Sequence, residues 1–485
     1  MIKSDYKAGE ASTDRWSLPS LTIPFTLVAV VTAVLLTGAF RILDISYILA
    51  IMIAIVMIAS IILRWDPLTV SLVLVVHICF DWYMGYLIVG QLLAFALLVI
   101  YFLFRSPQHP WAQPRALWLW GLYLLVSISP AVRGALSRSD AAYYYPNMML
   151  GALVMFWLGM VITTSKERLS TLFKILALVG ALFAIHTIIE TTTGVFLFAT
   201  SRLSTYLTQV SDFQLANSDT SRAGSLLLNP DWNGAFLAMM LFFPVGLFAQ
   251  SKSFLGKLLY LAEIFLIMLA LLFTYTLGAW IAALGGLMAF ILFVGRGRYR
   301  ILIPSVLLIV GLMVIVLFPA EVSLLLNRLE NPTTFLLRVG AWQTAIQVIQ
   351  AFPLTGLGLG LTAYLQGAEA YRVPAQYRPL AHPHNSYLEL GAMGGLPVLF
   401  LFLALLLFAF WQAWRNWKSG EVHLRVLLSG GLAAVVALSI NSLSVNAWTL
   451  PPLAAIGWLV LGAMASRCVS MEQVKADDKA EGGRR

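Results

Sequence analysis

A succession of apolar runs dominates the chain: about 14 of them, each near the roughly 17–25 residues that cross a bilayer as a helix. They cover approximately residues 21–40, 43–63, 67–83, 86–104, 115–130, 147–164, 170–189, 231–249, 257–275, 279–294, 301–319, 385–411, 424–445 and 449–466. In hydrocarbon every backbone N–H and C=O must be bonded within the protein, so continuous apolar runs of this length fold as helices. Charge is correspondingly scarce, at 11% of 485 residues, where soluble domains carry about a quarter. The expected fold is an all-α, polytopic integral membrane protein. Its net charge of +9 therefore reads as loop-orienting lysine and arginine rather than as a nucleic-acid surface. The two cysteines, Cys79 and Cys468, suit neither a disulfide nor a metal site.

The basic residues fall in alternate loops. Arg105 with Arg115, Lys166 with Arg168, Lys252 with Lys257, the trio Arg296, Arg298 and Arg300, and then Arg415, Lys418 and Arg425 mark one side. By the positive-inside rule that side is cytoplasmic, and an even helix count puts both termini there. The expected organisation is a cytoplasmic tail over 1–20, a membrane region over 21–319 and a large periplasmic loop over 320–384. C-terminal membrane helices over 385–466 and a cytoplasmic tail over 467–485 complete it. A second long periplasmic loop lies near 190–230. Loops of this length are usually functional or disordered, and these two are rich in Leu, Phe, Tyr and Trp. Within 320–384, Asn331-Pro332-Thr333 starts a helix and Phe352-Pro353 stops it. Phe335, Val339, Trp342, Ile346 and Ile349 recur between them at helical spacing, which predicts an amphipathic helix on the membrane surface.

The polar residues on the periplasmic side are the ones able to carry chemistry. His382-Pro383-His384-Asn385 precedes a long apolar helix, and its first turn is the expected place of His384. A helix N-terminus disfavours imidazolium, which suits His384 as a general base, with Asn385 or Ser386 as cap. The same turn also fits an interfacial anchor, and His-x-His is a metal-ligand spacing, although no matched carboxylate cluster accompanies it. Arg222 and Arg338, with Arg328 near the second, offer planar forks that grip phosphate oxygens in pairs; arginines at this depth also snorkel to lipid headgroups. Gly356-Leu357-Gly358-Leu359-Gly360 lacks the strand and the Lys-Ser/Thr ending of a phosphate loop and reads as a compact turn. Gly391, Gly394, Gly395 and Pro397 read as packing or kink positions. His77, Asp81, His186, Glu190 and Glu263 are intramembrane ionisable residues without the spacing of a relay.

Three blocks carry a family resemblance. They are Arg222-Ala223-Gly224 with Asn229-Pro230-Asp231-Trp232-Asn233, then Arg338-Val339-Gly340-Ala341-Trp342 leading to Pro353 and Gly356-Leu357-Gly358, then His382-Pro383-His384-Asn385-Ser386-Tyr387-Leu388-Glu389. Together they resemble the O-antigen ligase and O-antigen polymerase superfamily of bacterial envelope glycosyltransferases; Asp231 stands where that family usually has asparagine. The resemblance implies a metal-independent, inverting transferase without cofactor in the bacterial inner membrane, its site facing the periplasm. The donor would be a glycan on undecaprenyl pyrophosphate, and the acceptor a lipid A-core (ligase) or a second glycan-lipid (polymerase). A protein O-oligosaccharyltransferase belongs to the same set. It also implies His384 as base, Arg222 and Arg338 on the pyrophosphate, and His382, Asn385, Arg328 and Asn229 in support. A polysaccharide transporter or flippase is the reading from another class; it requires inverted halves and broken mid-membrane helices, which the sequence does not display.

Overall fold

The computed structural model describes residues 116–137, 144–163, 165–194, 222–294, 299–330, 333–373 and 382–466. These belong to the compact unit Ser46–Arg485. The unit Met1–Ile45, the expected spans before residue 105, most of the loop near 190–230 and both tails lie outside the described residues.

Every described element is helical, as the apolar runs require. In chain order they are α1 (Leu117–Ser137), α2 (Gly151–Ile162, entered through a wider turn over Tyr145–Leu150), α3 (Lys166–Thr193), α4 (Pro230–Met240), α5 (Phe242–Gln250), α6 (Phe254–Phe273) and α7 (Leu277–Val294). There follow α8 (Tyr299–Leu317), α9 (Pro319–Glu330), α10 (Thr333–Ala351), α11 (Leu361–Gly367), α12 (Ser386–Ser419), α13 (Val422–Asn441) and α14 (Pro451–Ala465). Among the described residues eight helices are long and apolar enough to cross a membrane, with α4 and α5 forming one of them. The chain is therefore a polytopic membrane protein. The break at Leu241 precedes Pro244, which has no N–H for the carbonyl of Met240.

The span α4–α5 is the centre of the bundle, with every residue from Asn233 to Ala249 buried. It packs on α3, α6, α7 and α13. Lipid offers apolar side chains nothing that a neighbouring helix does not, so close backbone approach has to supply the attraction. Helices α2 and α14 show this most clearly. A Cβ on Gly159 would lie 2.1 Å from the carbonyl oxygen of Leu459, and one on Gly462 would lie 1.9 Å from that of Phe156. Beside this crossing Trp120, Phe156, Trp448 and Trp458 interlock, with centroids 5.1–6.2 Å apart. Ile281, Leu284, Met288 and Leu292 on α7 and Leu308, Ile309 and Leu312 on α8 are exposed, the outward faces expected of helices in lipid.

Helix α12 is broken on purpose by its sequence. Gly395 has φ +83° and Pro397 lacks an N–H, so the carbonyls of Ala392 and Met393 lose their partners one turn on. The glycine-rich segment supplies replacements: Leu357 N–H donates to Ala392 O and Gly358 N–H to Met393 O, both at 2.9 Å. In return Leu396 N–H reaches Pro353 O at 2.7 Å, and Leu359 N–H reaches Pro130 O in α1 at 2.9 Å. Gly358 (φ +122°) has no room for a side chain, since a Cβ would lie 2.7 Å from Gly134 N. The segment is thus a structural turn, as its lack of a P-loop ending predicts.

Helix α10 has the expected limits. Its buried residues are Ala341, Thr344, Ala345 and Val348, while Phe335 and Ile346 of the predicted stripe are exposed. The small residues let α10 lie close on α12, where Ile349 fills the space beside Gly391. Size, not hydrophobicity, selects the buried face.

Candidate functional site

Four loops and helix starts meet at one end of the bundle. The first is the turn that carries Arg222. Gly224 and Ser225 donate their backbone N–H groups to Glu190 on α3, at 3.3 and 2.7 Å, and Ser225 Oγ lies 3.0 Å from His186 Nδ1. Asn233 Nδ2 ties the same turn down through Ala223 O (3.2 Å) and Thr187 Oγ1 (3.0 Å). Asn229 then caps α4, accepting from the N–H groups of Asp231 and Trp232 at 2.8 and 3.2 Å, with Pro230 at the first helical position. That is a favourable helix start, and it accounts for Asn229 as a cap.

Arg222 is thereby aimed at the turn between α6 and α7. Its Nε donates to Thr274 O (3.1 Å) and its Nη2 to Thr276 Oγ1 (3.0 Å) and Asp231 Oδ1 (2.5 Å). Arg338 arrives from α10 and donates through Nη2 to the other oxygen, Asp231 Oδ2, at 2.8 Å. One carboxylate thus bridges two guanidiniums that are 116 residues apart in the sequence (338 − 222). The three side chains stay reachable, at 18%, 15% and 16% exposure for Arg222, Asp231 and Arg338.

The histidine pair lies just before α12. Asn385 is the helix cap, accepting from Tyr387 and Leu388 N–H at 3.0 and 3.1 Å, so His384 precedes the helix instead of standing in its first turn. Backbone and side-chain bonds fix this start to the turn between α13 and α14: Asn385 Nδ2 to Leu443 O, Ser386 N to Ser442 O, and Trp448 N to Ser386 Oγ, at 2.9–3.0 Å. The same turn holds α4, because Trp232 Nε1 donates to Asn446 Oδ1 at 2.8 Å. One turn therefore registers the arginine side of the site against the histidine side.

His382 and His384 stack with ring centroids 4.0 Å apart, and His384 N–H donates to His382 Nδ1 at 3.3 Å. Behind them Glu389, 4% exposed, approaches His382 Nδ1 at 3.7 Å and accepts from Tyr144 Oη at 3.0 Å. Burial lowers His384 to about 4, helped by Arg338 and opposed by the carboxylate of Asp231. His382 is lowered as well, by burial first and then by His384. The helix terminus invoked from sequence is not the main cause; desolvation is. His384 Nδ1 is buried without a partner, so protonating both ring nitrogens would strand a donor. Both rings are accordingly neutral at pH 7.

The backbone is strained where these parts meet. Ser225, Leu228, Tyr275 and His384 all have φ between +48° and +58°, a region costing non-glycine residues about 1–3 kcal/mol. Among the described residues no cluster of three or more His, Cys, Asp or Glu could hold a metal ion. Arg328 lies on α9, its side chain outside the described residues. The residues that sequence reasoning missed as partners are Asp231, Glu190, Glu389, Thr274, Thr276 and Tyr144. Glu190 stood out only as an intramembrane carboxylate, and Asp231 only as a departure from a family pattern.

The arrangement defines a class: a membrane protein holding two guanidiniums and a neutral histidine pair at one end of a helical bundle, fit to bind an anion and accept a proton. Residues 262–403, from α6 to the middle of α12, match the family model described as O-antigen ligase, Wzy_C. Over this segment the chain is similar to that family. The match includes Arg338 and His384, while Arg222 and Asp231 precede it. No curated protein matches the chain.

Proposed function

We propose that the protein moves an oligo- or polysaccharide from undecaprenyl pyrophosphate to an acceptor hydroxyl at the periplasmic face, as an O-antigen ligase with lipid A-core as acceptor. The observation that carries this reading is the convergence of Arg222 and Arg338 on one anionic group, tied through the turn between α13 and α14 to the helix start beside His384. The orientation rests on Lys166, Arg168, Lys252, Lys257, Arg415, Lys418 and Arg425, which lie at the other end of the helices.

In this mechanism His384 takes the proton of the acceptor hydroxyl. The freed oxygen attacks the anomeric carbon from the face opposite the leaving group, and the bond to pyrophosphate breaks with its electron pair going to the phosphate oxygen. Arg222 and Arg338 stabilise the charge that grows there, fixed donors being worth most where charge develops. The configuration inverts, and the proton on His384 passes to solvent as the pyrophosphate carrier departs. Nothing in these steps calls for a divalent ion.

Purified protein in lipid nanodiscs, given a defined polyprenyl-pyrophosphate glycan, tests the reading directly. Lipid A-core and a second glycan-lipid are offered as separate acceptors, with and without chelator. Transfer to lipid A-core that is indifferent to chelator is the expected result. Elongation of the glycan-lipid alone would make the protein a polymerase, and a strict need for added divalent cation would remove metal independence.

The pH profile follows from His384. Since the free protein holds it down near 4, kcat/KM should stay level from pH 8 to about 5 and fall only as pH drops through about 4. A bound pyrophosphate places negative charge beside the ring and offsets Arg338, which favours the protonated form. The acid limb of kcat should therefore lie at higher pH than that of kcat/KM. Coincident limbs near 6.5 would show that a solvated histidine, not this buried one, is titrating.

A further inference from the structure

Asp231 gives the two arginines an anion of their own. Its Oδ1 accepts from Arg222 at 2.5 Å and its Oδ2 from Arg338 at 2.8 Å, so each oxygen of one planar group engages one guanidinium. Thr276 Oγ1 accepts from Arg222 at 3.0 Å and lies 3.3 Å from Oδ1, with Pro230 O and Thr274 O as the nearer acceptors for its proton. Two non-bridging oxygens of a phosphate would meet the guanidiniums in the same way. The carboxylate is attached to the second residue of α4, whose start is fixed by Asn229. The side chain can therefore turn away about its own Cα–Cβ bond while the helix stays in place. In the absence of another anion it neutralises one of two like charges that would otherwise repel across a short gap.

We infer that Asp231 is an internal competitor for the donor's pyrophosphate: it occupies the two guanidiniums in the empty site, yields them to the incoming donor and reclaims them as the spent carrier leaves. This rests on the function proposed above and adds to it a positioning residue that governs release. Transfer leaves the carrier pyrophosphate with at least as much negative charge as the donor had, on the same two arginines. A carboxylate waiting beside them offers the arginines an alternative partner and hastens exchange. The cost is weaker donor binding, because a carboxylate near a phosphate repels it.

The test uses the full-length protein in nanodiscs with undecaprenyl pyrophosphate added as product inhibitor. In Asp231→Asn the inhibition constant should fall roughly tenfold. KM for the donor should fall with it, and kcat should fall because release has become slow. Asp231→Ser, which also removes the charge but leaves space, should show the same direction and guards against a folding defect peculiar to asparagine. An unchanged or larger inhibition constant in both variants overturns the inference, because a residue that merely holds the arginines in place weakens binding when lost. The wild-type arm separates the two levels. If undecaprenyl pyrophosphate does not inhibit wild type, and Arg222→Ala and Arg338→Ala leave donor KM and kcat unaltered, the pyrophosphate reading itself fails and the competitor falls with it.

Discussion

Replacing His384 with alanine should lower glycan transfer by about 10²- to 10⁴-fold, the range ascribed to a positioned proton acceptor, while donor binding stays near its wild-type level. The split is the informative part. His384 touches the chemistry through its ring, whereas the helix start behind it is held by Asn385, Ser386 and the turn between α13 and α14. Loss of the ring therefore leaves α12 anchored. The variant should remain monodisperse and melt close to wild type. His382→Ala should have a smaller effect, since His382 acts by stacking on His384 and accepting its backbone N–H. Full transfer by His384→Ala from a purified donor would sink the assignment of the base. A transporter, by contrast, would be indifferent to this substitution in the transfer assay because it would catalyse no transfer at all.

The second large effect is expected at Arg338. Arg338→Ala removes one of two donors to the leaving group and should lower kcat/KM by roughly 10²- to 10³-fold, as loss of an oriented donor does elsewhere. It also leaves Asp231 with Arg222 as its remaining ion-pair partner. Deleting one member of a buried pair costs about 3–5 kcal/mol when a charge is left uncompensated; here Asp231 keeps Arg222, so the loss of stability should be well below that. The two consequences can be separated. Arg338→Ala should melt close to wild type while its transfer falls. A large drop in melting temperature that accounts for the lost transfer would mean that Arg338 serves the fold and not the donor. Arg338→Lys keeps the charge without the planar fork and should fall between the two in kcat/KM.

The helices were legible because hydrocarbon leaves a backbone few choices. Runs such as 231–249, 279–294 and 424–445 correspond to α4–α5, α7 and α13 within a few residues. What could not be read was which face of α10 meets α12. Phe335, Val339, Trp342, Ile346 and Ile349 mark the apolar stripe, whereas the contact with α12 uses the small Ala341 and Ala345. The candidate site was legible as residue types and not as contacts. Arg222, Arg338 and His384 each stood in a polar segment at the expected end of a helix. That the two arginines share Asp231 could not be read, because ion pairing over this sequence distance leaves no periodic signal. Glu190 was harder still: its partners are the backbone N–H groups of Gly224 and Ser225, which have no side-chain identity to betray them.

The main-chain bonds at the bend of α12 have a consequence for how this protein can diverge. Leu357, Gly358 and Leu396 exchange partners with Ala392, Met393 and Pro353 through peptide groups alone, so Leu354, Thr355 and Leu357 can be respelled without losing the join, while Gly356 and Gly358 have no room for a Cβ. Length is another matter. One residue inserted or deleted within 353–358 would shift donors past their acceptors, and one within α10 after Arg338 would rotate Arg338 by about 100° relative to His384. The distance from cation to base is thus written in residue count as well as in two glycines, and drift at 354, 355 and 357 should be freer in letters than in indels.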